Sequence, residues 1–185
     1  MRIAVYSGSF DPLHIGHQAI MEYLTKVSRF DWVYLVISPQ NPFKDPSKAL
    51  NAQERYQAAI EAVRRHPDLH VWVDNIELEM PAPHYTIRTL DALREREPEN
   101  EFTLVMGGDN LENILKWRDA ERLLCEYGVA VYPRSGSDIT EMREKLLEQN
   151  PLYRIQVIDA PVVDISSTQI REGKAAGLDM SGYLM

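Results

Sequence analysis

The 185-residue sequence has a single cysteine, Cys125, which excludes an internal disulfide or a cysteine-rich zinc site and fits a reducing compartment. It also lacks a basic excess. Twenty Lys and Arg stand against 28 Asp and Glu, a formal charge of −8, which excludes a protein that coats nucleic acid by charge. No apolar run approaches the about 18 residues needed to span a membrane. The stretch after Met1 is too short for the apolar core of a secretory signal. There is no internal repeat, low-complexity tract or interior linker. What remains, 44% hydrophobic and 26% charged residues, is the composition of an ordinary soluble globular protein. The length fits one domain that hides roughly 70% of its unfolded surface. These limits predict a cytoplasmic protein with no nucleic-acid or membrane partner, and they leave open whether it forms a homo-oligomer.

Short runs rich in β-branched residues recur at 3–6, 32–37, 71–73, 102–106, 129–132 and 155–158. Most are apolar throughout rather than alternating, as strands covered on both faces are. Amphipathic patterns lie between them. Ile20, Tyr23, Leu24 and Val27 share one helical face, as do Tyr56, Ala59, Ile60 and Val63. Ile87, Leu90 and Leu93 mark a third helix, and residues 139–149 a later one. This alternation predicts an α/β fold, a doubly wound and mostly parallel sheet with helices on both faces. Pro39, Pro42 and Pro46 make residues 38–47 a loop. Ligands of such sheets bind beyond the carboxyl ends of the strands, so the chemistry should follow each strand.

After the first strand comes Ser7-Gly8-Ser9-Phe10-Asp11-Pro12-Leu13-His14-Ile15-Gly16-His17. Gly8 lets the backbone turn tightly and approach a ligand. Pro12 fixes its own φ and biases Asp11 toward an extended form, shaping the loop in advance. His14 and His17 can face the same way at a helix start, beside free N–H groups and the positive end of the dipole, a setting suited to phosphate. Gly16 lets a bulky anion come close. The same residues also read as a plain strand-to-helix connection. As half of a zinc site they find poor company in one cysteine and three scattered histidines. The run is neither a Walker A loop nor G-x-G-x-x-G.

A second cluster, Asp164-Ile165-Ser166-Ser167-Thr168-Gln169-Ile170-Arg171, lies about 150 residues further on. Ser166 followed by Gln169 fits a capping box, which explains Ser166 but not three hydroxyl residues in a row. Ser167 and Thr168 add hydroxyl donors to the first turn. Arg171 brings a permanent guanidinium to the same end, suited to phosphate.

GSFDPLHIGH resembles the signature of the nucleotidyltransferase superfamily that shares an H-x-G-H element with class I aminoacyl-tRNA synthetases. ISSTQIR resembles its second signature, I-S-x-T-x-I-R. Within the superfamily the sequence is most similar to the bacterial nicotinate-nucleotide adenylyltransferases, from Arg2 to about Arg171. Pro83-His84-Tyr85-Thr86-Ile87-Arg88-Thr89-Leu90 resembles their P-S-Y-T-x-x-T-L segment, with His84 in place of the usual Ser. Met106-Gly107-Gly108-Asp109-Asn110, with Trp117 after one helix, resembles their G-x-D…W segment. The phosphopantetheine branch generally has Thr where this chain has His14. The cytidylyltransferases usually carry R-T-x-G-I-S-T-T at the second motif.

The resemblance implies one Rossmann-like nucleotidyltransferase domain over residues 1–185, without the last helix into which family members usually continue. It implies transfer of AMP from ATP to nicotinate mononucleotide, giving nicotinate adenine dinucleotide and pyrophosphate, with Mg²⁺ on the ATP and no side-chain metal site. It assigns His14, His17 and Arg171 to catalysis. Gly8, Ser9, Phe10, Gly107, Asp109, Ser166, Ser167 and Thr168 are assigned to ATP. Asn41, Lys44, Tyr85, Thr86, Trp117 and Arg134 are assigned to nicotinate mononucleotide. Asn41 and Lys44 stand in a loop shorter than the family's P-N-x-x-P-P-H-K and without its His. Residue chemistry agrees: Asp109 can accept bonds from ribose hydroxyls, and Trp117 offers a flat face to a pyridine ring. Judged alone, Tyr85 and Trp117 read equally as core aromatics, and Asp109 as a helix cap. The attacking phosphate oxygen is already anionic, its second pKa lying near ~6. No nucleophilic side chain is needed. Positioning and electrostatic stabilisation then supply most of the rate, with His17 expected partly protonated in the complex. Three alternatives stay open: nicotinamide mononucleotide as acceptor, phosphopantetheine as acceptor, and a sensor that binds nucleotide without chemistry.

Overall fold

The central apolar runs become strands covered by helices on both sides, while the edge strands stay partly open, with Trp72 57% and Val157 42% exposed. The computed structural model describes residues 1–39, 51–134, 136 and 138–185. In it, β1 (Arg2–Gly8), β2 (Trp32–Ile37), β3 (Val71–Asp74), β4 (Glu101–Gly107), β5 (Val129–Tyr132) and β6 (Ile155–Val157) form one sheet in the order β3-β2-β1-β4-β5-β6. Every pair is parallel, so the sheet expected to be mostly parallel is wholly so among the described residues. The helices are α1 (Ile15–Lys26), α2 (Ala52–Arg64), α3 (Ile76–Glu79), α4 (Thr86–Arg96), α5 (Gly108–Leu111), α6 (Ala120–Arg122), α7 (Ile139–Gln149) and α8 (Ser167–Ala175).

Alternate residues of each strand enter opposite cores, as the pleat requires. Ile3, Val5, Tyr34, Val36 and Leu104 pack with Ile87, Leu90 and Leu93 of α4 and with Ile139 and Leu146 of α7. Ala4, Tyr6, Val33, Leu35 and Val105 pack with Ile20, Met21 and Leu24 of α1 and with Ala59 and Ala62 of α2. Val27, predicted to share the α1 apolar face, is instead the C-cap and 58% exposed, because the helix has ended. In α2 the buried set is Arg55, Ala59 and Ala62, with Tyr56, Ile60 and Val63 only partly covered. The loop predicted over 38–47 lies outside the described residues from 40 onward.

Topology decides where a ligand can sit. The chain runs outward from β1 through β2 to β3 and then returns to β4 on the other side of β1. The connections from β1 and β4 therefore diverge, leaving a crevice beyond their carboxyl ends. The sheet's far edge is fastened by Asp74, whose side chain is only 1% exposed. Its two oxygens accept from Arg96 at 2.6 and 3.2 Å, and Oδ1 also accepts from the Ile76 N–H at 3.0 Å. Asp74→Ala removes all three acceptor contacts. Urea titration should show a loss of about 3 kcal/mol with an unchanged m-value.

Candidate active site

Gly8 closes β1, and the backbone turn that follows is made at Phe10, whose φ is +47°. Gly8 does not itself adopt a left-handed conformation. Its missing side chain leaves room for the Phe10 ring, which a Cβ there would meet at 3.2 Å. That ring sits edge-on to Tyr6 and His17, with centroids 5.1 and 5.0 Å away.

His14 is the N-cap of α1, and the two histidines make a reciprocal capping box. His14 Nδ1 accepts from the backbone N–H of Gly16 at 3.0 Å and of His17 at 3.4 Å, while His17 Nδ1 accepts from the N–H of His14 at 3.2 Å. A neutral imidazole that accepts at Nδ1 carries its proton on Nε2. Both rings therefore present an Nε2–H donor. They are stacked, centroids 3.6 Å apart and 23° from parallel. Burial, then the charge of Arg134, pushes His14 down to about 4. Burial, then His14, then Arg134, pushes His17 down to about 3. Both are neutral at pH 7 in this structure. Partial protonation of His17, expected once phosphates are bound, would require its Nδ1 to release the His14 N–H it accepts here. Gly16 also makes room for the histidine: a Cβ there would meet the His14 ring at 2.9 Å.

The second motif closes on the first. Ser166 caps α8 in the predicted box with Gln169. Ser167 Oγ donates to the carbonyl of Pro12 at 2.8 Å, and Arg171 Nη1 donates to the carbonyl of Asp11 at 2.6 Å. Arg171 Nη2 donates to Thr168 Oγ1 at 3.2 Å. Arg171, expected to hold phosphate, thus also braces the histidine loop.

Between the motifs lies a cleft of about 770 Å³. His14, His17, Arg134, Ser166 and Ser167 line it, together with Tyr6, Ile20, Tyr132 and residues 161–165. Arg134, assigned to the acceptor by resemblance, shares this space with the histidines and has Asp109 at 3.8 Å. Gly107 makes room for that pair, since a Cβ there would meet Asp109 Oδ1 at 2.6 Å and Arg134 Cδ at 2.9 Å. Tyr6 is buried, and its phenol is pushed well above its ordinary range by that burial and by Tyr132. Sequence reading missed Tyr6, Tyr132, Pro161, Val162 and Val163, whose apolar and aromatic types look like ordinary core.

Tyr85, Thr86 and Trp117 are not among the residues that line this cleft. Tyr85 is the N-cap of α4 and Thr86 its first residue. The Arg118 guanidinium lies 4.8 Å over the Tyr85 ring. Trp117 follows α5 and a 3₁₀ turn, rather than one helix, and is half-buried against the α4 side of the core. Asn41 and Lys44 lie outside the described residues. Among the described residues, no group of three or more His, Cys, Asp or Glu is placed to hold a metal ion. No described helix is long and apolar enough to cross a membrane.

A switch-point crevice closed by two phosphate-suited motifs defines a nucleotidyltransferase of the Rossmann-like class. Residues 5–173 match the cytidylyltransferase-like family, and the chain belongs to it. Among similar proteins, the probable nicotinate-nucleotide adenylyltransferase of Flavobacterium johnsoniae is 38% identical over 184 residues, 100% of this chain and 92% of that one. The protein of the same description from Bacteroides fragilis is 36% identical over 99% of this chain and 87% of its own. Of solved structures, Plasmodium falciparum nicotinic acid mononucleotide adenylyltransferase complexed with NaAD superposes with a TM-score of 0.78 at 19% identity, covering 99% of this chain and 90% of that one. At that identity the likeness concerns the fold.

Gly16→Ala should displace the His14 ring while leaving α1 intact, because alanine is a better helix former than glycine. Circular dichroism and melting temperature should stay near wild type while kcat falls by about 10- to 100-fold. Unchanged turnover would contradict the reason given for Gly16.

Proposed function

We propose that the protein transfers AMP from ATP to nicotinate mononucleotide, forming nicotinate adenine dinucleotide and releasing pyrophosphate. The observation that carries this reading is the pair of Nε2–H donors held in one cleft by two joined motifs. Full-length relatives at 36 to 38% identity support the choice of acceptor.

In the reaction, an oxygen of the mononucleotide phosphate forms a bond to the α phosphorus of ATP, and the bond from that phosphorus to the bridging oxygen of the β phosphate breaks. The leaving group departs as pyrophosphate. The attacking oxygen is already anionic, so no side chain has to remove a proton. The site's task is to align two polyanions and spread the charge that builds on the transferring phosphoryl group. We assign that task to His14 and His17 through neutral Nε2–H donors and to the backbone N–H groups of Ser9 and Phe10. Arg171, Ser167 and Thr168 serve the departing pyrophosphate and the shape of the loop, and Ser166 fixes the helix end behind them. Gly8 and Gly107 keep the backbone low under the nucleotide, and Asp109 accepts from a ribose hydroxyl. Arg134 stands between the substrates' phosphates. Tyr85, Thr86 and Trp117, with Asn41 and Lys44, receive the nicotinate half. Mg²⁺ arrives as part of the MgATP substrate, where it screens phosphate oxygens.

Pyrophosphate release is measured with MgATP and each acceptor in turn. Nicotinate mononucleotide should give the highest kcat/KM, and His17→Ala should lower kcat by about 100- to 1000-fold with the fold retained. Preference for nicotinamide mononucleotide or phosphopantetheine, or no release with any acceptor, would sink the reading.

A further inference from the structure

Arg55 is an arginine in the core. It is only 2% exposed, and it projects from α2 toward the ends of β1 and β2. Its Nη1 donates to two backbone carbonyls, that of Ser9 at 2.8 Å and that of Ser38 at 2.9 Å. The Asp11 carboxylate attracts it and partly offsets the cost of burial. Such burial is expensive, and two carbonyl contacts and the pull of Asp11 offset only part of it. The charge therefore calls for a reason other than packing.

The reason lies in the peptide it grips. In a trans peptide, C=O and N–H point in opposite directions. With the Ser9 carbonyl drawn toward α2, the N–H of Phe10 points away from α2. The cleft lies on that side, lined by the end of β5 and by residues 161–167 and Gln169 rather than by β2 or α2. The carbonyl before it is held in the same sense, because Gly8 O accepts from the Ser38 N–H at 2.9 Å. Neither Ser9 N–H nor Phe10 N–H donates to a described acceptor. Two adjacent donors are thus turned to one side by bonds made on the other.

We infer that Arg55 is a positioning residue for adenylyl transfer: it holds the Ser9–Phe10 peptide in the orientation that offers its N–H to the phosphoryl group being transferred. This rests on the function proposed above and adds a residue that touches no substrate. It is the logic of a backbone oxyanion hole, where one flipped amide removes a donor.

Arg55→Met keeps the volume and removes the grip. Its melting temperature should drop, because the Ser9 and Ser38 carbonyls lose their donor, whereas kcat measured well below that temperature should fall by about 100-fold while KM for nicotinate mononucleotide changes little. Arg55→Lys, able to serve one carbonyl, should recover part of kcat. Turnover of Arg55→Met close to wild type overturns the proposal. So does a loss shared equally by melting temperature, kcat and the acceptor KM that lysine does not repair. Should Arg55→Met fail to fold, Arg55→Lys decides alone, an unchanged kcat being the overturning result. Calorimetric binding of α,β-methylene-ATP gives a readout independent of the acceptor. Wild-type protein inactive on nicotinate mononucleotide contradicts the proposed function, whereas equal analogue binding by wild type and Arg55→Met contradicts the role of Arg55.

Discussion

The carbonyls of Asp11 and Pro12 accept hydrogen bonds from Arg171 and Ser167, across 160 and 155 residues of sequence. These two contacts turn a pair of separate strand-to-helix and loop-to-helix connections into one site. Without them the histidine loop has no wall opposite the sheet, and the cleft has no second side. A chain carrying −8 must also bind two polyanions. Under the proposed function it does so with carbonyls held by Arg55, Ser167 and Arg171, which leaves amides and ring N–H groups for the phosphates. The whole-chain charge then matters little, because the local donors are backbone dipoles, two neutral rings and a few fixed guanidinium groups.

The histidines show the same economy. Each spends Nδ1 on the first turn of α1, which satisfies orphan backbone donors and fixes ring and tautomer in one step. What is left is a single directed donor per ring. Stacking at 3.6 Å keeps the two donors side by side, and Gly16 is the residue that tolerates the ring folded back over it. Under the proposed function, phosphate binding and helix capping share these two rings.

Much of this architecture was legible in the sequence. Continuous apolar runs such as 32–37 and 129–132 match β2 and β5 residue for residue, because strands buried on both faces leave no polar positions to blur their ends. The α7 limits were also legible, since Asp138 caps it and accepts from the Glu141 N–H at 3.0 Å. The two motifs could be read because they combine rare residue types at fixed spacing. What could not be read is where side chains point. Gly8 was expected to make the turn, which falls at Phe10 instead, and nothing in the sequence showed that Gly8 and Gly16 make room for the rings of Phe10 and His14. Arg134, grouped with the acceptor, lines the same cleft as the histidines, a proximity no spacing could show. Arg55 gave no signal, because its partners are carbonyl oxygens, which every residue has. Tyr6 and Tyr132 line the cleft yet look like core in any one-dimensional pattern.

The central claim is that the site works through two neutral imidazoles that are bound at Nδ1 and donate from Nε2. Two-bond ¹H–¹⁵N correlation spectra of histidine-labelled protein read tautomer and charge ring by ring. The account predicts that at pH 6 both His14 and His17 are neutral with the proton on Nε2, titrating only near about 4 and about 3. A proton on Nδ1 of either ring, or an imidazolium signal from either at pH 6, would contradict it.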